Sequence, residues 1–191
     1  MFKSKKSWQA NKNNSHCKGI LISEQLHLLG VKSVLDIGTN AGAVARLLSE
    51  NYFVVGIDQK LDFRGYAKPL ENVALGEITF NVKNAKSIPK FDAVLLLSVH
   101  HQWYANFHEE EADSLVKAAI SIAKRVVLIE FAALNSKYLF SDRFEDNDEE
   151  SVRNFALNYL SQLQPHLEIT YIGKCPESVH EPFRFLFMIK K

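Results

Sequence analysis

The stretch Val34-Leu-Asp-Ile-Gly-Thr-Asn-Ala-Gly-Ala43 decides the fold of this 191-residue chain. An apolar strand ends close to an acid and is followed by a turn that contains two glycines. Apolar residues within 44–48 then fall at helical spacing, and Thr39 or Asn40 is available to cap the predicted helix. A strand that enters a helix through a glycine turn is how doubly wound α/β domains hold nucleotide-like ligands.

The residues of this turn indicate which ligand it suits. Asn40 stands where a dinucleotide site has its second glycine, and Ala43 stands where the third would be. Asp36, at the end of the strand, is predicted to point at the mouth of the site, where its charge would oppose a pyrophosphate. An acid there suits a ligand that carries an ammonium or sulfonium group. The turn therefore favours S-adenosylmethionine over NAD.

Two further stretches follow in the order expected for such a site. An apolar strand over residues 53–58 ends in Asp58, whose carboxylate can accept two hydroxyl protons. Another apolar strand, over residues 92–99, is introduced by Phe91-Asp. With the acid-x-Gly-x-x-x-Gly turn of Asp36, Gly38 and Gly42, these stretches resemble the class I S-adenosylmethionine-dependent methyltransferases.

The resemblance implies a set of cofactor-binding residues. In the family the acid that ends the second strand holds the ribose hydroxyls, which is the place of Asp58. An acid before the Phe-Asp strand binds the adenine amino group, and Asn84 stands there, with an oxygen that can accept the same proton. The cofactor-binding residues implied are Asp36, Gly38, Thr39, Asn40, Gly42, Asp58, Gln59, Asn84, Ala85 and Ser98.

Alternating strand-like and helix-like segments predict an α/β domain with helices on both faces of a mostly parallel sheet. Helices are predicted over residues 20–29, ending at Gly30, and over 109–123 and 151–163. Residues 59–76 show no sustained period and predict a short or irregular crossover. Strands are predicted over 33–37, 53–58, 78–82, 92–99, 125–131, 167–173 and 183–189. The resemblance implies a three-layer, Rossmann-like, seven-stranded sheet whose last strand is antiparallel.

Composition limits the remaining classes. A chain of 191 residues with 47% hydrophobic and 24% charged residues is typical of one globular domain, 1–191. The net charge of +1 indicates no particular partner. Cys17 and Cys175 match no redox or metal spacing, and the seven histidines form no metal-binding pattern, so no metal is expected. With neither a signal peptide nor an apolar run long enough for a membrane, a cytoplasmic setting is expected, and the oligomeric state stays open.

Two charged segments flank the predicted core. Residues 1–19 form a basic extension in which lysines alternate with Phe2 and Trp8, a composition that suits contact with nucleic acid. Residues 132–150 form an acidic loop or a lid over the acceptor. A local likeness to methyltransferases that cap RNA 5′ phosphates also lies in Asn40, in Leu97-Ser-Val followed by Trp103, and in Glu181-Pro-Phe-Arg-Phe-Leu-Phe.

The predicted acceptor site lies directly after the 92–99 strand. His100 and His101 follow it in a predicted loop at the carboxyl edge of the sheet, where ligands of open α/β sheets bind. In the family this position faces the transferred methyl, so one histidine is a candidate base for a hydroxyl or amine acceptor. Trp103 and Tyr104 are predicted to form an aromatic wall that binds the acceptor.

These features together predict a methyltransferase that acts on a small-molecule oxygen or nitrogen acceptor. An RNA acceptor is the second possibility. A third is a non-catalytic module that binds S-adenosylmethionine and regulates a partner.

Overall fold

The computed structural model of the protein describes residues 12–62, 71–134, 137–138, 148–176 and 183–191. The described residues form six helices and seven strands. The helices are α1 (Lys12–Leu28), α2 (Ala43–Leu48), α3 (Val82–Ala85), α4 (His100–Asn106), α5 (Glu109–Ile122) and α6 (Glu149–Leu163). The strands are β1 (Ser33–Ile37), β2 (Phe53–Asp58), β3 (Val73–Glu77), β4 (Phe91–Leu96), β5 (Ala123–Ala132), β6 (Glu168–Pro176) and β7 (Phe183–Lys190).

One seven-stranded sheet has the order β3-β2-β1-β4-β5-β7-β6. The pairs β2–β3, β1–β2, β1–β4 and β4–β5 are parallel. The last strand, β7, is antiparallel to both β5 and β6 and lies between them. The predicted α/β architecture and the inserted antiparallel last strand are confirmed.

The sheet separates two apolar cores, as its near-continuous apolar inner strands require. On one face, Ile22 and Leu26 of α1 and Leu48 of α2 pack against alternate residues of the inner strands. On the other face, α5 and α6 pack against the remaining residues of the same strands. Because successive side chains of a strand point to opposite faces of the sheet, each inner strand contributes to both cores. Each core is covered by a different set of helices.

The first helix is longer than predicted. It begins at Lys12, not at about residue 20, although it ends before a left-handed Gly30 (φ 61°) as expected. Its extra turns carry polar residues, which show no apolar period in the sequence. Part of the segment assigned to a basic extension is therefore helix, while residues 1–11 lie outside the described residues.

Two local predictions between β1 and β4 are wrong or displaced. The strand predicted over 78–82 lies at Val73–Glu77, and residues 82–85 are helical. This strand is at the edge of the sheet and half exposed, so it needs no apolar run. Helix α2 begins after a left-handed Gly42 (φ 73°) with no side-chain cap, so neither Thr39 nor Asn40 caps it.

The predicted loop that carries the two histidines is instead the start of α4, at His100–Asn106. The other predicted strands and helices agree with the structure to within three residues at each end. Within the described residues, no helix has both the length and the apolar character that a membrane span requires. Residues 63–70 of the predicted irregular crossover lie outside the described residues, and so do residues 135–136 and 139–147 of the predicted acidic loop or lid.

Candidate functional site

A cavity of about 290 Å³ opens at the carboxyl edge of the sheet, beside β1 and β2. This is where open α/β sheets bind ligands, because the strand ends and helix starts meet there. Its walls come from the turn after β1, the end of β2, the segment after β3, and α4. The lining residues are Ile37, Gly38, Ile57, Asp58, Gln59, Ile78, Thr79, Phe80, Val99, Gln102, Trp103, Asn106 and Phe107.

Asp58 presents a fixed carboxylate to this cavity. Its Oδ2 accepts a hydrogen bond from the backbone amide of Asn40 at 2.9 Å, and its Oδ1 accepts one from the amide of Lys60 at 3.1 Å. Asn40 itself has a left-handed backbone (φ 51°). Since each carboxylate oxygen has a second lone pair, Asp58 can still accept protons from a pair of ligand hydroxyls.

Gly38 is required by both conformation and space. Its φ is 79°, and a Cβ built on it would lie 2.0 Å from Cγ1 of Val99. The amides of Gly38 and Thr39 both donate to the carbonyl of Ile57, at 2.8 and 3.1 Å, which ties the turn to the end of β2. Gly38, Asp58 and Gln59 are the predicted cofactor-binding residues that line the cavity.

Gly42 is not among the residues that line the cavity. A Cβ built on it would lie 2.9 Å from Cδ1 of Leu75 in β3. The close approach that Gly42 permits is therefore to the Leu75 side chain of β3, which does not line the cavity.

Asp36 does not reach the cavity mouth, contrary to the prediction. It is buried on the face covered by α1 and α2, and it accepts a hydrogen bond from the Thr39 hydroxyl at 2.7 Å. Burial raises the pKa of Asp36 to about 6, against the lowering effects of the Thr39 hydrogen bond and the Lys18 charge. Alternation along β1 explains this placement, because Ile37 and Leu35 occupy the other face.

The aromatic residues after β4 divide between the cavity and the core. The Trp103 ring stacks on Phe80, with centroids 5.9 Å apart and planes 19° apart, and both residues line the cavity. Tyr104 is buried, and its hydroxyl donates to the Asp113 carboxylate. Of the two residues predicted to bind the acceptor, Trp103 thus borders the cavity and Tyr104 lies within the core.

Asn84 and Ala85 lie outside the cavity lining. The Asn84 side chain accepts from the amide of Asn81 at 2.9 Å and donates to the carbonyl of Thr79 at 2.7 Å. Asn81 returns the bond, so the pair forms a capping box at α3. Ala85 is buried in the core. Asn84 therefore contacts the backbone of Thr79, a cavity-lining residue, and has its oxygen engaged.

His100 and His101 are both buried at the start of α4, and neither lines the cavity. Nδ1 of His100 lies 3.2 Å from the Tyr138 hydroxyl, and its ring is 4.3 Å from that of Phe131. Nδ1 of His101 lies 3.2 Å from Nη1 of Arg184. Burial, and then the charge of Arg184, lowers the pKa of His101 to about 2.

Ser98 connects β4 with α4 in a left-handed conformation (φ 59°). Its hydroxyl donates to Oε2 of Glu130 at 2.8 Å, and its carbonyl accepts from the Gln102 side chain at 2.8 Å. Ser98 therefore lies beside the cavity wall and does not form it. Thr39, Asn40 and Ser98 all act on the lining through hydrogen bonds.

The sequence interpretation missed several lining residues. Gln102 and Asn106 lie one turn apart on α4, and that spacing is the signal that could have found them once α4 was recognised. The segment after β3 had no such signal, because its strand was placed elsewhere. The missed residues are Ile37, Ile57, Ile78, Thr79, Phe80, Val99, Gln102, Asn106 and Phe107.

No protein-family model matches the sequence, and a search of curated proteins found no match. Solved structures do match along nearly the whole chain. Magnesium protoporphyrin IX methyltransferase (ChlM) from Synechocystis PCC 6803, with bound S-adenosylmethionine, has a TM-score of 0.57 at 16% identity, over 100% of this chain and 86% of that one.

Two further structures match at a higher TM-score. The N-methyltransferase NodS from Bradyrhizobium japonicum WM9 has a TM-score of 0.63 at 14% identity, over 95% of this chain and 98% of that one. The methyltransferase domain of bacterial Hen1 (CtHen1-C) has a TM-score of 0.62 at 16% identity, over 94% and 98%. The chain therefore has the fold of the class I S-adenosylmethionine-dependent methyltransferases.

Proposed function

We propose that the protein is an S-adenosylmethionine-dependent methyltransferase that acts on a small-molecule oxygen or nitrogen acceptor. The observation that carries the proposal is the Asp58 carboxylate, which is held by two backbone amides and faces a cavity at the carboxyl edge of the sheet. A doubly hydrogen-bonded carboxylate is oriented before the ligand arrives, so it binds a vicinal diol without first reorganising.

The cavity lining fits the parts of this cofactor. Asp58 would accept the ribose hydroxyls, and the stacked pair of Phe80 and Trp103 offers flat apolar surface for adenine. The Gly38 turn brings backbone to the cavity without a side chain in between. Asp36 would act on the methionine end from behind this turn, through Thr39.

The chain's contribution to the reaction would be chiefly positioning and exclusion of water. When bound, S-adenosylmethionine supplies an electrophilic methyl group on a sulfonium sulfur. The lining of Val99, Trp103 and Phe107 would shield this region from solvent. The lowered pKa of His101 makes it a poor proton acceptor, so of the two predicted candidate bases we propose His100, whose buried ring lies outside the cavity lining, next to the lining residue Val99 in the chain.

Two features support a small-molecule acceptor. The net charge of +1 offers no general attraction for a phosphate backbone. One of the matching structures is, by its name, a magnesium protoporphyrin IX methyltransferase, and another is an N-methyltransferase. The first name gives a small-molecule acceptor and the second gives only the acceptor atom, so the fold alone does not select an acceptor.

A labelled-methyl assay tests the proposal. The purified protein would be incubated with methyl-labelled S-adenosylmethionine and fractionated pools of small metabolites and of RNA. The proposal predicts label in a small-molecule fraction. Label that requires RNA, and that falls steeply from low to moderate salt, would contradict the small-molecule acceptor. Tight cofactor binding with no transfer to either pool would favour a non-catalytic module.

A further inference from the structure

A buried ion pair connects the first helix to the carboxyl edge of the sheet. Nζ of Lys18 in α1 lies 2.7 Å from Oε1 of Glu130 in β5, and the two side chains are 7% and 0% exposed. A lysine is rarely buried to this degree unless it is paired, and desolvation makes such a pair costly. The pair does not line the cavity.

The other oxygen of Glu130 holds a strained residue. Its Oε2 accepts the Ser98 hydroxyl at 2.8 Å, and Ser98 has a φ of 59°. A non-glycine residue adopts this left-handed conformation at a cost and needs surrounding contacts to hold it there. With Lys18 on one oxygen and Ser98 on the other, the carboxylate of Glu130 is fixed from both sides.

Ser98 is hydrogen-bonded to the cavity wall formed by α4. Its carbonyl accepts from Nε2 of Gln102 at 2.8 Å, and the next residue, Val99, accepts at its carbonyl from the amide of Trp103 at 2.9 Å. Val99, Gln102 and Trp103 all line the cavity. A change in the backbone at Ser98 would therefore move three lining residues together.

Helix α1 is packed tightly enough to hold Lys18 in place against Glu130. Ile22 and Leu26 of α1 are fully buried in the core, and a Cβ built on Gly19 would lie 3.0 Å from Cδ1 of Leu47 in α2. Lys18 is thus presented from a helix whose neighbouring turns cannot shift freely.

We propose that Lys18 and Glu130 are a positioning pair, which holds Ser98 in its left-handed conformation and thereby sets the Val99–Gln102–Trp103 wall of the cavity for cofactor binding. The inference rests on the proposed function only for the identity of the ligand. The pair touches neither the cavity nor the reacting atoms, so its effect is conveyed through Ser98.

The experiment uses Trp103 as its reporter. The chain has two tryptophans, so Trp8→Phe leaves Trp103, a cavity-lining residue, as the only one. In this background the pair is replaced by apolar residues in the double variant Lys18→Met/Glu130→Leu, which leaves no buried charge uncompensated. Acrylamide quenching of Trp103 and titration with S-adenosylhomocysteine are then measured well below the melting temperature.

The proposal predicts that the double variant melts cooperatively. Compared with the Trp8→Phe parent, it should show faster quenching of Trp103 and bind S-adenosylhomocysteine at least about tenfold more weakly. Lys190→Met is the matched control, because it breaks an exposed lysine–glutamate pair with Glu168. This variant should change neither the quenching of Trp103 nor the affinity for S-adenosylhomocysteine. If the double variant does not fold, Lys18→Arg takes its place. Arginine keeps the charge but holds it at a different distance from the backbone, and this variant should bind S-adenosylhomocysteine at least about threefold more weakly.

Unchanged quenching and unchanged affinity in the folded double variant would overturn the positioning role, and so would wild-type affinity in Lys18→Arg. The quenching reading does not depend on the ligand. If the parent protein itself fails to bind S-adenosylhomocysteine, the proposed function fails, while quenching still decides whether the pair sets the position of Trp103.

Discussion

Nη1 of Arg184 lies 3.2 Å from Nδ1 of His101, with both side chains buried. An arginine guanidinium can only donate, so Nδ1 of His101 accepts and the ring proton belongs on Nε2. The same cation, together with burial, lowers the pKa of His101 to about 2. His101 is therefore neutral at working pH, with its ring proton on Nε2.

A pair of variants distinguishes the two histidines. His101→Asn should leave the pH dependence of turnover between pH 5 and 8 unchanged, because the wild-type ring does not titrate there. His100→Asn should reduce turnover by about 10²–10⁴ if His100 takes the acceptor proton, with cofactor affinity nearly kept. Full turnover in both variants would mean that neither ring is a base.

Asp36 should make stability depend on pH. Its pKa is raised from 3.8 to about 6 in the folded protein, so the folded state holds a proton that the unfolded state releases. This contribution falls as pH rises from about 4 to about 6, by about 3 kcal/mol. Asp36→Asn should therefore match the wild type near pH 4 and exceed its unfolding free energy at pH 7, as measured by urea titration.

Asp92→Asn is the control of opposite sign. The Asp92 carboxylate accepts from the amides of Lys32 and Ser33, and although its partial burial opposes them, these bonds lower its pKa. Its removal should reduce stability at pH 7 and have less effect at low pH. If Asp36→Asn were less stable than the wild type at pH 7, the raised pKa of Asp36 would be wrong.

Gly38→Ala should weaken ligand binding through Val99. The new Cβ would lie 2.0 Å from Cγ1 of Val99, a cavity-lining residue, and the φ of 79° disfavours any side chain. We expect a loss of at least about 1–2 kcal/mol in stability and a tenfold or greater loss of cofactor affinity by calorimetry.

Gly30→Ala isolates the conformational part of this effect. Gly30 also has a positive φ (61°), but a Cβ there meets no atom within 4 Å. It should lose stability by a similar conformational cost and bind the cofactor normally. Equal binding by the two variants would remove Gly38 from the site.

The strands that support the site could be predicted because their apolar runs are long. Buried parallel strands must be apolar on both faces, and β1, β2, β4 and β5 all carry that pattern. The edge strand β3 could not be predicted in this way, because it pairs with a neighbour on one side only and is half exposed, so it carries no long apolar run. With β3 misplaced, Ile78, Thr79 and Phe80 were assigned to the strand itself, whereas in the structure they form the lining segment that follows it.

The polar contacts behind the cavity were less accessible to sequence reasoning. Lys18 lies among polar residues and resembles part of a soluble basic tail, yet it is buried against Glu130, which is 112 residues further along the chain (130 − 18). A pairing of that kind depends on the three-dimensional fold and not on local pattern. Asp36 was identified from the glycine turn, but the face of the sheet to which its side chain points depends on the alternation of side chains along β1.

Asp58→Ala should remove an oriented acceptor from the cavity. The loss of a charged hydrogen-bond partner predicts about 1.5–3 kcal/mol weaker binding of S-adenosylhomocysteine. Asp92→Ala is the matched control, since that carboxylate also accepts from two backbone amides but lies outside the cavity lining. It should bind normally, and equal losses in both variants would point to a general effect on folding.

Calorimetric titration of the unmodified protein with S-adenosylhomocysteine and, separately, with NAD tests the central claim most directly. The Asp58 carboxylate and the Phe80–Trp103 stack predict binding of S-adenosylhomocysteine in the micromolar range, roughly 8 kcal/mol, with far weaker binding of NAD. A preference for NAD, or no heat of binding with S-adenosylhomocysteine at protein concentrations well above micromolar, would contradict the account.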